Sequence, residues 1–407
     1  MMPFARFLSQ LLTLFLPATL MLLAGLAVAW RTGQADPWCW GWPALLLLAP
    51  AGWWLARQDF ARALWVGLGG AGMALLFCAL AAARMPELWA MVGLVLLALT
   101  AAGGGAWLWQ RRWLPALVAL VVALLLLGFG PARPISSRPD RPVLAVIAAL
   151  PLFWEEGGAG TRRDAPIVTL LRSRFDVRPI DDPQALAASG ASVLLLAQPR
   201  PMAPQALVAL DRWVRDGGRL LLLTDPRLRW PSDLSLGDRR RAPMVGALGP
   251  LLAHWGVRGG AVRDREIRHF LPDGRLLTMA GMQSLSSVGQ GAAVPLPLRI
   301  GRGEVLLLGD ADLIDDRLWL VDPARPLDPR AWSADTPALV VEWLGGKVPD
   351  GRRWMRDVAD VRLGLRSALL AGTGWAILGL MLLRRRSGRN AMRTKSENKL
   401  VKGVKNG

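Results

Sequence analysis

The sequence has few of the side chains that most often carry catalysis. Its 407 residues contain no tyrosine, two histidines and two cysteines. Both cysteines, Cys39 and Cys78, lie in an apolar N-terminal third. The rest of the chain therefore has no disulfide framework, no cysteine-based zinc site and no thiol nucleophile.

Lysine is also scarce, and its placement explains part of the net charge of +18. Four of the five lysines fall within 395–405, and the tail after Leu383 carries nine Lys or Arg and one Glu. Residues 131–362 have 32 basic and 27 acidic side chains, an unremarkable balance. The charge pattern therefore indicates a basic cytoplasmic tail next to lipid rather than a nucleic-acid-binding surface.

Long apolar runs dominate both ends of the chain. The composition is 53% hydrophobic with positive mean hydropathy, which is unusual for a soluble protein. Runs of about 20 apolar residues are long enough to cross a bilayer. The predicted spans are about Phe7–Trp30, Trp38–Ala56, Ala63–Ala83, Leu88–Trp109, Trp113–Gly130 and Gly364–Leu383.

The arginines between these spans predict the orientation. With the N-terminus inside, the inside loops hold five arginines and the outside loops hold Arg31 and Arg84. The sixth span then returns the basic tail to the cytoplasm. Ala27-Val28-Ala29 resembles a cleavage site, but the preceding apolar run is too long for a signal peptide and favours a retained helix. We expect an inner-membrane protein of a bacterium, with both termini cytoplasmic and the central domain periplasmic.

The central part of the chain reads as a separate domain. A Pro-, Ser- and Arg-rich linker without periodicity separates it from the apolar region. The predicted organisation is a transmembrane region 1–130, a linker 131–141, an α/β domain 142–350, a linker 351–363, a C-terminal span 364–383 and a basic tail 384–407.

Apolar runs and helical patterns alternate through the domain. Runs at 143–150, 192–198, 219–226 and 304–310 lack polar alternation, as in strands buried on both faces of a parallel sheet. Helical patterns at 166–175, 204–218 and 243–257 separate the earlier strands, and a more polar β-rich stretch covers 261–300. This order predicts a doubly wound, mostly parallel sheet of the flavodoxin-like type.

Ligands of such sheets bind beyond the carboxyl ends of the strands. Polar side chains follow several predicted strands at this edge. The candidate binding residues are Glu155, Glu156, Gln198, Arg200, Asp225, Arg227, Asp310 and Asp312. We assign none of them a catalytic or metal-binding role from the sequence alone, and no cofactor is predicted.

The stretch GEVLLLGDADLIDD, residues 303–316, resembles the strand and paired aspartates of haloacid-dehalogenase-type phosphatases. Those enzymes also need a later lysine, and the only lysine of the domain is Lys347. An EF-hand is excluded because Asp315 and Val321 stand where glycine and glutamate are required. The favoured interpretation is that Asp310 and Asp312 cap the following turn. A Walker motif is excluded at 342–350 because Val348 replaces the serine or threonine.

Two segments together resemble a known family. LLLAQPRPMAPQALVALDRWVRDGGRLLLLTDP, residues 194–226, and GRGEVLLLGDADLIDD, residues 301–316, are similar to the extracytoplasmic domain of auxiliary proteins of uncharacterised ABC-type transport systems, relatives of the GldG gliding component. This resemblance implies a fold like that of class I glutamine amidotransferases. The turn after 192–197 reads AQPRP where those enzymes carry a cysteine, which implies a version without catalysis.

The resemblance predicts a non-enzymatic auxiliary subunit with an ABC ATPase and a permease as separate partner chains, the lipid bilayer as its surroundings and a periplasmic ligand. Two alternatives stay open at this point. One is a membrane-anchored, metal-dependent hydrolase or transferase that uses Glu156, Asp225, Asp310 and Asp312. The other is a structural or glycan-sensing protein of the cell envelope.

Overall fold

The computed structural model describes residues 4–156, 161–348 and 352–404, with side chains of the last helix described up to Arg384. The chain forms two compact units. One contains residues 1–131 and 351–407 and is called the helical unit here. The other contains residues 132–350 and is called the α/β domain.

The helical unit joins the N-terminal third to the C-terminal helix. Its helices are α1 (Phe4–Thr32), α2 (Gly41–Leu55), α3 (Phe60–Ala81), α4 (Leu88–Trp109), α5 (Trp113–Phe129) and α11 (Val358–Val404). α11 packs against α3 and α1, and α2 packs against α4. Because α11 already begins at Val358, the predicted linker 351–363 extends into this helix.

Four helices of the described residues are long and apolar enough to cross a membrane. They are Phe4–Thr32, Phe60–Ala81, Leu88–Trp109 and the first part of α11, Val358–Arg384. Four of the six predicted spans thus correspond to candidate membrane helices, and the number of six is not confirmed. α2 has 15 residues and α5 has 17, which correspond to lengths of roughly 22 and 26 Å at 1.5 Å per residue.

Small residues let the backbones of α2 and α4 approach closely. A Cβ atom on Gly105 would lie 1.9 Å from the carbonyl oxygen of Ala49, and one on Gly52 would lie 2.0 Å from that of Ala102. Both distances are far below van der Waals contact, so glycine is required at these two positions. Gly105, the last residue of the Gly-rich run 103–105, thus serves close helix packing, as in many membrane helix pairs.

Two tryptophans join α3 to α11. The indoles of Trp65 and Trp375 stack with their ring centroids 4.2 Å apart. Each indole N–H also donates to the backbone carbonyl of the other tryptophan, at 3.0 Å in both directions. This reciprocal pair satisfies both indole N–H groups inside the bundle, where an unpaired donor would be costly.

The α/β domain is built on a six-stranded sheet. The strand order is β2-β1-β3-β4-β10-β9, and every neighbouring pair is parallel except β10 and β9. The prediction of a mostly parallel sheet is confirmed. The strands are β1 (Val143–Ala148), β2 (Asp176–Pro179), β3 (Val193–Ala197), β4 (Arg219–Leu223), β9 (Leu296–Ile300) and β10 (Gly303–Leu308).

Helices and two small sheets complete this domain. The helices are α6 (Pro166–Arg172), α7 (Leu186–Ser189), α8 (Pro204–Arg215), α9 (Gly249–His254) and α10 (Thr336–Trp343). The predicted helix 243–257 is shorter than expected, because its first six residues are irregular. The small antiparallel sheets pair β5 (Val257–Arg263) with β8 (Met282–Ser287) and β6 (Ile267–Phe270) with β7 (Leu276–Met279).

Burial on both faces explains the apolar strands. All five residues of β3 are buried, and so are the last four of β4. Leu210 and Val214 of α8 pack in one core with Leu194 and Leu220 of the sheet. Pro204 opens α8, and Gly217 follows it with φ +115°, a conformation that glycine adopts without strain. The strand ends are thereby held in a rigid scaffold.

Gly105→Ala should destabilise the helical unit by about 1–3 kcal/mol, because the new methyl group forces α2 and α4 apart. Gly103→Ala is the matched control, since its Cβ would meet only Leu64 Cδ2 at 3.6 Å. The measurement is unfolding of the detergent-solubilised protein followed by tryptophan fluorescence. Equal stability of the two variants would contradict the close approach.

Candidate functional site

The carboxyl ends of β1, β3, β4 and β10 lie along one edge of the sheet because these strands are parallel. Leu223 and Leu308, the last residues of β4 and β10, are partners in the sheet register. Residues two positions beyond them, Asp225 and Asp310, therefore continue side by side. This register brings together aspartates that are 85 positions apart in the sequence.

Asp225, Asp310 and Asp312 form a buried cluster that we call the carboxylate triad. One carboxylate oxygen of each lies within 4.8 Å of those of the other two. The three residues are 3%, 0% and 1% exposed. Three acidic side chains thus share one small volume that water does not reach.

Backbone N–H groups hold each carboxylate in place. Asp310 accepts from Ala280 and Leu313, both at 3.1 Å. Asp312 accepts from the N–H of Arg229 at 2.7 Å, and Asp225 accepts from the N–H of Arg227 at 2.7 Å. Asp310 thus caps the turn that follows β10, as the sequence predicts, and Asp312 contacts the loop after β4 instead.

Two oxygens of the triad remain without a hydrogen-bond partner. They are Oδ2 of Asp225 and Oδ1 of Asp312, and both are buried. A buried acceptor that has lost its water contacts normally finds a donor in the fold. These two oxygens therefore have unused capacity to bind a proton or a cation.

The triad also lacks a guanidinium partner among the described ion pairs, unlike other aspartates of the domain. The tripeptide Asp-Pro-Arg occurs at 225–227 and at 328–330. In the second copy, Arg330 returns its guanidinium to Asp328 at 2.8 Å. In the first copy, the guanidinium of Arg227 pairs with Asp264 instead. The same local sequence thus neutralises Asp328 and leaves Asp225 without a counter-charge.

Burial raises the pKa of all three carboxyl groups. Burial and the adjacent Asp225 and Asp312 raise the pKa of Asp310 well above its ordinary range. Burial is also the main cause that raises the pKa of Asp312 to about 7, and it raises the pKa of Asp225. Three negative charges without compensation are unfavourable here, so the triad must take up protons or a positive ion.

Gln198 occupies the turn after β3, where the amidotransferase resemblance would place a cysteine. Its backbone has φ +41°, which is uncommon for a residue with a side chain. Its side chain accepts from the N–H of Asp225 at 2.8 Å and donates to the carbonyls of Asp225 and Pro243. These bonds use both N–H groups of the amide and one acceptor site of its oxygen, so Gln198 fixes the loop after β4.

Arg200 and Arg227 also hold loops in place. Arg200 donates to the carbonyl oxygens of Arg240 and Arg241 at 3.0 and 3.4 Å. Arg227 and Arg229 both pair with Asp264. The guanidiniums of the two predicted arginines therefore contact neighbouring loops, and neither forms an ion pair with the triad among the described residues.

A cleft of about 920 Å³ lies in the same domain and contains the two predicted glutamates. Its walls come from the loop after β1, the loop after β4 and the segment after β10. Two indoles, several prolines and an excess of carboxylates face it. The polar and aromatic lining residues are Trp154, Glu155, Glu156, Arg163, Asp164, Thr169, Trp230, Ser232, Asp233, Asp316, Arg325 and Asp328.

Three carboxylates of the cleft form no ion pair with any described residue. They are Glu156, Asp233 and Asp316. Glu156 accepts from the backbone N–H of Asp233 at 3.0 Å, and burial raises the pKa of Asp316. In contrast, Glu155 pairs with Arg163 at 2.6 Å. The cleft therefore suits a ligand that carries positive or hydrogen-bond-donating groups.

The structure thus divides seven of the eight predicted residues between two places, whereas Arg200 contacts the loop of Arg240 and Arg241. Asp225, Asp310 and Asp312 meet in the triad, and Gln198 and Arg227 support it through Asp225. Glu155 and Glu156 line the cleft. Sequence reasoning missed Trp154, Trp230 and Asp316. The available signal was the position of Trp154 directly before two glutamates; Trp230 and Asp316 lie in loops whose course the sequence does not reveal.

Gln198→Ala should destabilise the α/β domain by about 2–4 kcal/mol, because the N–H of Asp225 and the carbonyl of Pro243 lose their partner inside the protein. Gln205→Ala, at an exposed position of α8, is the control and should change stability by less than about 0.5 kcal/mol. Denaturant unfolding of the two variants tests this. Similar small effects would show that Gln198 does not fix the loop.

Three comparisons with known proteins bear on the identity of the chain. Residues 141–260 match the model of a family described as an ABC-type uncharacterized transport system. This segment runs from just before β1 into β5 and includes the quoted stretch 194–226, whereas the stretch 301–316 lies outside it. A comparison with curated proteins finds no match.

Some solved structures show weak likeness. They include a catalytic mutant of Gan42B, a GH42 β-galactosidase from G. stearothermophilus (16% identity, 59% of this chain, 34% of that chain, TM-score 0.28), and a β-galactosidase from the Antarctic haloarchaeon Halorubrum lacusprofundi (14%, 58%, 35%, 0.28). The chain spans about a third of the length of these galactosidases. Likeness at this level carries no argument about fold or activity.

The family match falls on the domain for which the sequence resemblance was found. It covers β1 to β4, whose loops supply Gln198, Asp225 and Trp230. The resemblance to auxiliary proteins is therefore confirmed at the level of the family. Residues 141–260 of the chain are thus similar to the ABC-type uncharacterized transport system family.

Proposed function

We propose that this protein is a non-catalytic auxiliary subunit of an ABC-type transport system, of the GldG-like kind. The observation that carries the proposal is the family match over 141–260, on a domain that the chain places between apolar helices. The sequence has no Walker motif, so the proposal assigns ATP hydrolysis to a separate chain. The auxiliary role itself implies that the main permease is a further chain.

The proposed role of the α/β domain is to bind a ligand in the cleft. The parallel strands follow the order 2-1-3-4-5 of flavodoxin-like sheets, with β10 in the fifth position. Such sheets bind ligands where the strand order reverses, here between β1 and β3. The loop after β1 supplies Trp154 and Glu156 to the cleft, and a volume of this size is typical of small-molecule sites.

Catalysis at the triad is not part of the proposal. The three aspartates are almost completely buried and do not belong to the residues that line the cleft. Glu156, the fourth residue of the hydrolase hypothesis, lies in the cleft. A metal-dependent hydrolase would need these four carboxylates around one open position, and the fold separates them.

The proposed topology places the α/β domain outside the cytoplasm. Six spans would need α2, extended by the short helix Pro37–Trp40, and α5 to cross as well. The side of the domain is the same whether both of these helices cross or neither does, since five and three preceding spans are both odd numbers. In either case α11 returns the chain to the side of the N-terminus, where the basic tail follows the positive-inside rule.

The transport role predicts a stable complex. We expect the affinity-tagged full-length protein, cross-linked in its native membrane and extracted in mild detergent, to co-purify with an ABC ATPase and a permease detected by mass spectrometry. A tagged multi-spanning protein of unrelated function from the same membrane is the control. Native complexes that contain neither chain above the control level would remove the main support for the proposal.

The topology predicts opposite labelling at two exposed positions. Leu236→Cys lies in the α/β domain, where Leu236 is 81% exposed, and Arg112→Cys lies between α4 and α5. With five preceding spans, as proposed, a membrane-impermeant maleimide applied to spheroplasts should label the first variant at once and the second only after permeabilisation. Immediate labelling of both variants would mean that α2 and α5 do not cross, and would still place the domain outside. The wild-type chain, with Cys39 and Cys78, gives the background. The reverse pattern would place the domain in the cytoplasm.

A further inference from the structure

We propose that the carboxylate triad binds one divalent cation of the oxygen-preferring class, with Ca²⁺ as the best fit. The ligands are one carboxylate oxygen each from Asp225, Asp310 and Asp312. The ion would be a structural part of the α/β domain, next to the cleft loops and separate from any transported ligand. This inference does not depend on the proposed transport role.

The unpartnered oxygens point to a ligand, beyond the clustering of acidic residues. Oδ2 of Asp225 and Oδ1 of Asp312 have no donor, although the two residues are 97% and 99% buried. The second oxygen of each carboxylate is fixed by a backbone N–H, of Arg227 and of Arg229. The backbone thus orients both side chains so that one oxygen of each stays available within the cluster.

The two Asp-Pro-Arg copies show that the missing counter-charge is not imposed by local sequence. Both aspartates accept from the N–H of the arginine two positions later, at 2.7 Å for Asp225 and 3.0 Å for Asp328. Arg330 then neutralises Asp328, whereas Arg227 pairs with Asp264. Asp264 therefore draws the guanidinium of Arg227 away from the triad, which forms no ion pair among the described residues, and a bound cation would supply a direct counter-charge.

The spacing of the oxygens and their burial bear on which cation would bind. Two oxygens bound to the same cation can be separated by at most twice the metal–oxygen distance. That limit is about 4.6–5.2 Å for Ca²⁺ and about 4.0–4.2 Å for Mg²⁺. The triad oxygens lie within 4.8 Å of one another, which is compatible with the limit for Ca²⁺. Mg²⁺ dehydrates reluctantly and usually keeps several waters, so a triad that water does not reach favours Ca²⁺. An all-oxygen ligand set also disfavours zinc and copper.

The bound ion would tie together the loops that wall the cleft. Asp225 begins the loop that carries Trp230 and Asp233, and Asp312 precedes the segment that carries Asp316. Asp312 also accepts from the N–H of Arg229, one residue before Trp230. A cation bound to the three carboxylates would therefore hold the two walls of the cleft at a fixed separation.

The test uses the full-length protein in detergent, first stripped with a chelator and then supplied with CaCl₂ or MgCl₂. We expect one bound calcium per chain by elemental analysis. At a calcium concentration of about 100 times Kd, the unfolding temperature of the α/β domain should rise by roughly 5–10 °C. The rise with Mg²⁺ should be smaller.

Three variants make the assignment specific. Asp312→Asn and Asp225→Asn each keep an acceptor for the backbone N–H and lose the charge, so each should lose the calcium-dependent rise and the bound ion. Asp328→Asn, in the second Asp-Pro-Arg copy, should keep both. Using two triad variants protects the test if one of them fails to fold.

Several results would overturn the proposal. If the wild-type protein binds no calcium and its unfolding temperature does not rise, shared protons rather than a cation compensate the charges of the triad. A calcium effect that persists in both triad variants, or that disappears equally in Asp328→Asn, would place the ion elsewhere. A larger effect of Mg²⁺ would contradict the assignment of Ca²⁺.

Discussion

The parallel pairing of β4 and β10 is the constraint on which the carboxyl edge depends. It sets Leu223 beside Leu308 and thereby brings Asp225 and Asp310 together two residues later. The apolar strands are covered on both faces, so their ends open into a region that water does not reach. Like charges placed there are costly, and the loops that follow both strands must supply the compensation.

The compensation comes mostly from the backbone. Four N–H groups, from Arg227, Arg229, Ala280 and Leu313, donate to the three carboxylates. Gln198 then fixes the backbone of Asp225 from the neighbouring strand end. These hydrogen bonds orient the carboxylates and stabilise their charged form. Oδ2 of Asp225 and Oδ1 of Asp312 nevertheless have no hydrogen-bond partner. The same loops continue into the cleft walls, so the triad and the cleft share the segments after β4 and β10.

In the helical unit, tryptophan and glycine provide contacts that hold the helices together. Without tyrosine, tryptophan provides the large aromatic contacts, and Trp65 and Trp375 satisfy each other inside the bundle. Glycine allows α2 and α4 to touch through their backbones. Because α11 packs against α3 and α1, the chain closes one helical unit from its two distant ends.

Much of this fold could be predicted from local patterns. Apolar runs without alternation predict β1, β3, β4 and β10, and Pro204 with Gly217 marks the limits of α8. The pairing of Arg227 with Asp264 could not be predicted, because the identical tripeptide at 328–330 pairs differently. Hydropathy predicts spans at α2 and α5, but it does not show that these helices end after 15 and 17 residues. The positions of Trp230 and Asp316 in the cleft could not be predicted, because they depend on the paths of two loops.

Anomalous scattering gives the most direct test of the triad as an ion-binding site. Crystals of the full-length protein grown with Ca²⁺, and soaked with Mn²⁺ as a stronger scatterer, should show one peak at about 2.1–2.6 Å from an oxygen of each of Asp225, Asp310 and Asp312. Diffraction data that show no peak between these three carboxylates, from crystals that hold the cation at other sites, would contradict the account.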